Sequence, residues 1–282
     1  MSGDGARRRD DRPIGVFDSG VGGLTVLAEL NRRLPGEATI YLGDNARTPY
    51  GPRAADEVRT FTLEAVEWLL AQDVKLVVLA CNTATARALD DVRDRSITPV
   101  LGVVRPGAVA ASAATRSGHV AVIATAGTVE SGAYPSAIVE AAPATQVTQL
   151  ATPELVPMVE SGILDGRRAE SVLRAYLEPL LVAGPSIDAL LLGCTHYPLL
   201  RPVIERLVGP AISVVDSAFT TALAVEDLLD AIGARSSHVG SVRHRVATTG
   251  DSGAFTTVAS RLFGASLPDV EVVRIEAAAS FP

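Results

Sequence analysis

Short apolar runs recur along this chain, and most lead into a stretch whose apolar positions return every three or four residues. The runs at 14–17, 38–42, 76–80, 100–103, 120–124, 146–150, 189–192, 212–215 and 245–248 are mostly rich in Val, Ile and Leu, without strict apolar–polar alternation. Strands covered on both faces read this way, because neither face calls for a polar set. Between them, "DEVRTFTLEAVEWLLAQ" (56–72) and "RRAESVLRAYLEPLLVA" (167–183) have the spacing of amphipathic helices. This alternation predicts an α/β fold with mainly parallel sheets.

Two echoes subdivide the pattern. "KLVVLAC" (75–81) and "DALLLGC" (188–194) share one layout: a charged residue, four mainly apolar residues, a small residue, then cysteine. "IGVFDSGVGGLTVLAEL" (14–30) and "ISVVDSAFTTALAVEDL" (212–228) both read as strand, Asp-Ser, helix. The spacing is far too long for a solenoid. It predicts two pseudo-symmetric α/β lobes, each carrying one of the cysteines. One lobe is discontinuous (13–103 plus 217–268) and the other is continuous (104–216). Residues 1–12, "MSGDGARRRDDR", read as a disordered tail and 269–282 as a C-terminal tail.

Composition narrows the function classes. The chain has 282 residues, 48% of them hydrophobic and 20% charged, with a net charge of −7. That balance fits a globular protein with a large core and speaks against a nucleic-acid-binding surface spread over the whole protein. No apolar run approaches the ~18 residues of a membrane span, and the N-terminal stretch lacks the apolar segment of a signal peptide. The expected compartment is therefore the cytoplasm, where a structural disulfide between the two cysteines is not expected.

In open α/β sheets, ligands sit beyond the carboxyl ends of the strands. The residues expected there are Asp18-Ser19, Asp44, Cys81-Asn82-Thr83, Thr125, Cys194-Thr195-His196 and Asp216-Ser217. Either cysteine alone reads as a small core residue. Two at matched strand ends, each leading into polar residues, point to chemistry. Zinc ligation lacks the usual paired spacing, and Cys-x-x-Cys is absent, so neither a metal site nor a thioredoxin-like site is expected. His196 either caps a helix or supports the Cys194 thiolate. Asp18 either caps a helix or belongs to the site, and the glycines after it match neither a P-loop nor G-x-G-x-x-G. Glu160, alone, reads as a surface residue. The single lysine, Lys75, opens the strand that ends near Cys81, the wrong end for a Schiff base with pyridoxal phosphate.

Two thiols on opposite walls of one cleft suit inversion of a carbon–hydrogen stereocentre. One removes the proton from one face, and the other returns a proton to the opposite face. A thiol with a pKa of ~8.5 is near enough to neutrality to exchange these roles.

"IGVFDSGVGGLTV", "YLGDNARTPYG", "LACNTAT", "GVVRPGA", "ATAGTVESGAY", "LVPMVESG" and "LLGCTHYPLL" occur in that order over roughly residues 13 to 260. Together they resemble the glutamate racemases of the cofactor-independent aspartate/glutamate racemase family. The resemblance implies Cys81 and Cys194 as the acid/base pair, with Cys81 acting on D-glutamate and Cys194 on L-glutamate. It implies Asp18 as the assistant of Cys81, and His196 and Glu160 as assistants of Cys194. Substrate contacts are implied at Asp18, Ser19, Pro49, Tyr50, Gly51, Cys81, Asn82, Thr83, Thr128, Cys194, Thr195 and His196, with no metal and no cofactor. The implied product, D-glutamate, feeds peptidoglycan. Expected partners are the L- and D-glutamate substrate, a second copy in a homodimer and, as in some members, DNA gyrase as a protein contact. The rivals are aspartate racemase, an arylmalonate-type decarboxylase needing one thiol, and an amino-acid-binding module. One methylene in a pocket is worth only ~1–3 kcal/mol, so the thiols alone do not separate the two racemases.

Overall fold

The structure is a computed structural model that describes residues 9–183, 187–238, 240, 242–264 and 269–275. Its strands are β1 (Ile14–Asp18), β2 (Thr39–Gly43), β3 (Leu76–Leu79), β4 (Val100–Gly102), β5 (His119–Ala124), β6 (Gln146–Ala151), β7 (Ala189–Gly193), β8 (Ser213–Asp216), β9 (Arg245–Thr248) and β10 (Val270–Val272). The helices are α1 (Leu24–Arg33), α2 (Ala55–Leu70), α3 (Asn82–Arg95), α4 (Val104–Ala114), α5 (Ala126–Ser131), α6 (Ala133–Ala141), α7 (Leu155–Glu160), α8 (Gly166–Ala183), α9 (Arg201–Val208), α10 (Ser217–Ala231) and α11 (Ser252–Phe263). Each apolar run read as a strand is one, to within a residue at either end.

The strands form two sheets, ordered β10-β9-β2-β1-β3-β4 and β6-β5-β7-β8. Every pairing is parallel. The α/β expectation with parallel sheets is borne out. Strands β2-β1-β3-β4 and β6-β5-β7-β8 follow the same order, so β3 corresponds to β7. The cysteine echo therefore marks equivalent positions. The Asp-Ser echo does not, because β1 lies inside its sheet whereas β8 is an edge strand.

Both faces of the central strands are covered. In β3, Leu76 and Val78 point into one core and Val77 and Leu79 into another. In β7, Leu190 and Leu192 join the same core as Leu76 and Val78, while Ala189 and Leu191 face a third. The inner faces of the two sheets thus share one continuous core, which also takes in Val26 of α1, Leu173 of α8 and Val225 of α10. Helix α2 shows why its sequence packs so well. Asp56 and Glu57 favour its N-terminal dipole, and Val58, Thr62, Ala65, Val66 and Leu69 line its buried side.

Two expected tails need correction. Val270–Val272 pairs with β9 as an outer strand, although the short run at 270–273 carries Glu271 and lacked a strand signal. Residues 10–12 are tied to the domain as well: Asp11 accepts from the Ser237 backbone amide at 2.7 Å, and the Asp10 carbonyl accepts from Lys75 Nζ at 2.6 Å. Residues 1–8 of the expected N-terminal tail lie outside the described residues. Lys75 itself is buried and ion-paired with Glu37, at the end of β3 remote from Cys81. No helix among the described residues is long and apolar enough to cross a membrane.

Candidate active site

The cavity that matters is set by where the parallel strands end. Loops after β1, β2, β3, β5, β6 and β7 converge on a space of about 380 Å³ between the two sheets. That volume suits a small metabolite. Both cysteines line it, and they are buried free thiols. Cys81 follows β3 and caps α3, its sulfur accepting from the Ala84 amide at 3.4 Å. It also approaches the Ser19 hydroxyl at 3.5 Å. Cys194 follows β7 at the equivalent place in the other sheet.

A chain of contacts runs outward from Cys194. Its Sγ lies 3.8 Å from His196 Nδ1, and His196 Nε2 lies 3.1 Å from Glu160 Oε1. Burial pulls the His196 pKa down, but the bonds to Cys194 and Glu160 outweigh it and hold the value up at about 10. The ring therefore keeps its proton at neutral pH. Gly22 makes this packing possible: a Cβ there would sit 2.4 Å from Thr195 Oγ1 and 2.5 Å from the His196 ring.

The Cys81 side has the opposite electrostatics. Burial, reinforced by the neighbouring Asp18, pushes its thiol up to about 12. Asp18 is fully buried, and desolvation raises its pKa against the pull of His196 and of the Gly20 and Gly23 amides. Its carboxylate accepts from the Gly20 amide at 2.9 Å and from the Thr195 hydroxyl at 3.5 Å. Asp18 thus stands behind the wall between the thiol centres and does not line the cavity.

The rest of the wall is hydroxyl-rich, with no lysine or arginine among the described lining residues. Thr83 and Thr125 hydroxyls lie 2.9 Å apart, and Thr128 bonds both from behind, fully buried. Ser19, Pro49, Tyr50, Gly51, Asn82, Thr83, Thr195, His196 and Glu160 line the cavity; Asp18 and Thr128 back it. Asp44 and Asp216, placed on the rim by strand-end reasoning, face elsewhere. Asp44 holds Tyr50, Arg47 and Thr249, whereas Asp216 caps α10 and pairs with Arg201. Thr152 also lines the space and carried no sequence signal, since β6 read only as an ordinary strand; Val156 lines it too, within the segment 155–162 that contributes to the family resemblance. Further bonds tie the walls together: the Thr25 hydroxyl, shared with the Gly22 carbonyl, donates to the Thr195 carbonyl at 3.0 Å, and the Gly127 amide to the Gly51 carbonyl at 2.9 Å. Among the described residues, no group of three or more His, Cys, Asp and Glu is placed to hold a metal.

Two parallel-stranded α/β units, with thiols at equivalent strand ends facing one cavity, define an enzyme whose site lies between its sheets. The family model for Asp/Glu/Hydantoin racemases matches residues 14–226. The chain belongs to that family, and it is an amino-acid racemase, an isomerase. A glutamate racemase from Shouchella clausii is 47% identical, with 88% of this chain and 89% of the relative covered. The crystal structure of a Bacillus anthracis glutamate racemase superposes with a TM-score of 0.90 at 39% identity, covering 95% of this chain and 99% of that one. A Francisella tularensis glutamate racemase, solved with D-glutamate, gives 0.86 at 31% identity, covering 95% and 100%. The family resemblance read from the motifs is borne out.

Proposed function

We propose that this chain interconverts L- and D-glutamate by a two-base mechanism without a cofactor, and so supplies D-glutamate for peptidoglycan. The observation that carries the reading is the pair of thiols, one from each sheet, on a shared cavity with no lysine or arginine among its described lining residues. The name shared by the relatives, and the D-glutamate held by one of them, support the substrate.

The unequal surroundings of the thiols suggest how the cycle begins. Cys81 carries its proton, while Cys194 sits beside the His196 imidazolium, 3.8 Å from Nδ1. From L-glutamate, the Cys194 thiolate takes the α-proton, breaking Cα–H and forming S–H. The electron pair stays on Cα, delocalised into the carboxylate. The Cys81 S–H bond then breaks and its proton enters the opposite face, giving D-glutamate and leaving Cys81 as the thiolate. D-glutamate runs the same steps backwards. The substrate's ammonium, arriving near Cys81 and Asp18, lowers the cost of the Cys81 thiolate. Ser19, Asn82, Thr83 and Thr195, with the Pro49-Tyr50-Gly51 loop, hold the substrate through hydroxyl, amide and backbone donors, and Thr128 braces Thr83. Such fixed donors, held on largely buried side chains, stabilise the developing negative charge. We place the reaction in the cytoplasm, between two lobes, one comprising 13–103 plus the segment from 217 through β10 and the other 104–216.

Cys81→Ala and Cys194→Ala test the reading. Each should lose racemisation, measured by circular dichroism of glutamate, while keeping the wild-type melting profile. Racemisation retained by either variant refutes the two-base scheme. Ser19→Thr should mainly raise KM.

A further inference from the structure

Asn82 has one feature that neither the fold nor the two-thiol chemistry accounts for. It is 2% exposed and lines the cavity, and its Nδ2 donates to the Tyr134 hydroxyl at 2.7 Å and approaches Ser217 Oγ at 3.4 Å. Its Oδ1 is buried and has no partner. An acceptor left unpaired in the interior costs about as much as a lost hydrogen bond, so native structures keep few of them. One at a cavity wall is an acceptor awaiting a ligand's donor. Turned over, the amide would accept from the Tyr134 and Ser217 hydroxyls and aim its NH2 group at the cavity, a donor for a carboxylate; the arrangement found here, with Nδ2 on Tyr134, aims the acceptor instead.

The three residues come from separate parts of the fold. Asn82 opens α3, beyond the six-stranded sheet; Tyr134 lies in α6, packed on the four-stranded sheet; Ser217 opens α10. Tyr134 is fully buried, with Ser217 also bonding its hydroxyl. The ring has room because residue 193 is glycine, where a Cβ would lie 2.8 Å from Tyr134 Cε2.

We infer that Tyr134 and Ser217 are positioning residues: they lock the Asn82 amide with its carbonyl oxygen open to the ammonium group of the bound amino acid. The lock spans both sheets, so that acceptor is aimed only while the sheets are docked. The inference rests on the glutamate reading of this cavity. A bond from an ammonium to a neutral acceptor is present before, during and after proton transfer, so its loss acts on binding more than on turnover.

The test is steady-state kinetics of Tyr134→Phe and Ser217→Ala in both directions, with inhibition by 2-hydroxyglutarate as a second readout. The hydroxyl of that analogue can donate or accept, so it binds whichever way the amide faces. For Tyr134→Phe the expected result is a KM for glutamate raised about tenfold or more, kcat within about threefold of wild type, and an unchanged inhibition constant for 2-hydroxyglutarate. Ser217→Ala, with its longer contact, should show the same pattern at two- to fivefold, and decides the matter if Tyr134→Phe fails to fold. A role confined to packing against Gly193 would instead disturb Cys194 and lower kcat. An unchanged KM, a fall in kcat matching the rise in KM, or equal weakening of glutamate and 2-hydroxyglutarate overturns the inference while leaving the racemase reading intact. Wild-type protein that does not turn over glutamate overturns both.

Discussion

Glu160→Gln removes one charge from the chain that ends at Cys194 and changes nothing else in shape. In the wild type, Glu160 Oε1 accepts from His196 Nε2 at 3.1 Å, with the histidine buried and the glutamate side chain 35% exposed. A hydrogen bond between charged groups is worth about 1.5–3 kcal/mol. Solvent reaches Glu160, so the discounted figure is about 1–2 kcal/mol. That energy corresponds to a roughly 5- to 30-fold easier loss of the His196 proton. The imidazolium, held at about 10 in the wild type, should titrate lower in the variant because burial then meets only the Cys194 contact. The assay is NMR of the imidazole C–H signals across pH; with four histidines in the chain, His196→Asn assigns the signal. Stability follows with a definite sign. The folded-state pKa lies above the ordinary 6.5, so the stabilisation is complete below about pH 6.5 and is lost as the pH climbs through about 10. The wild type should therefore exceed the variant in urea unfolding free energy near pH 6.5, and the gap should close by about pH 10. Racemisation should fall in the same variant. A wild-type His196 that titrates near 6.5, or an unchanged titration in Glu160→Gln, refutes the reasoning.

Three further outcomes test other parts of the site. Gly22→Ala drives a methyl group into Thr195 and His196, and should cost about 1–3 kcal/mol of stability together with most of the turnover; full activity at full stability contradicts the close approach at that position. Cys81, with its thiol pushed up to about 12, should be alkylated by iodoacetamide at a rate rising about tenfold per pH unit from 7 to 10, and a plateau below pH 9 refutes its environment. Thr25→Val removes the hydroxyl that lies 2.9 Å from the Gly22 carbonyl and 3.0 Å from the Thr195 carbonyl across the walls; about 1 kcal/mol of stability should go with it, and calorimetry showing none places no weight on either bond.

Much of the fold was legible because parallel strands are short, apolar and separated by amphipathic helices. The matching of Cys81 to Cys194 was legible too, since the runs before them share a layout and β3 and β7 occupy corresponding places in their sheets. What stayed hidden depends on tertiary geometry. The Asp-Ser repeat looked equally persuasive, yet Asp18 stands behind the thiols and Asp216 caps a helix at a sheet edge. Glu160 carried no local signal; it reaches His196 only because α7 ends beside the loop after β7. Tyr134 read as the end of a motif, and its link to Asn82 and Ser217 joins residues 52 and 83 positions away from it in the chain. Strand β10 was missed because a three-residue segment with one glutamate carries too little pattern to register.

The central claim is that two thiols exchange the α-proton of glutamate across one cavity. Its most direct test is proton NMR of the purified protein in D₂O with L-glutamate, and separately with L-aspartate, with nothing else added. The account expects the α-proton signal of glutamate to disappear as D-glutamate accumulates, with aspartate unchanged. Exchange with aspartate alone would contradict the assigned substrate, and exchange with neither would return both cysteines to the role of packing residues.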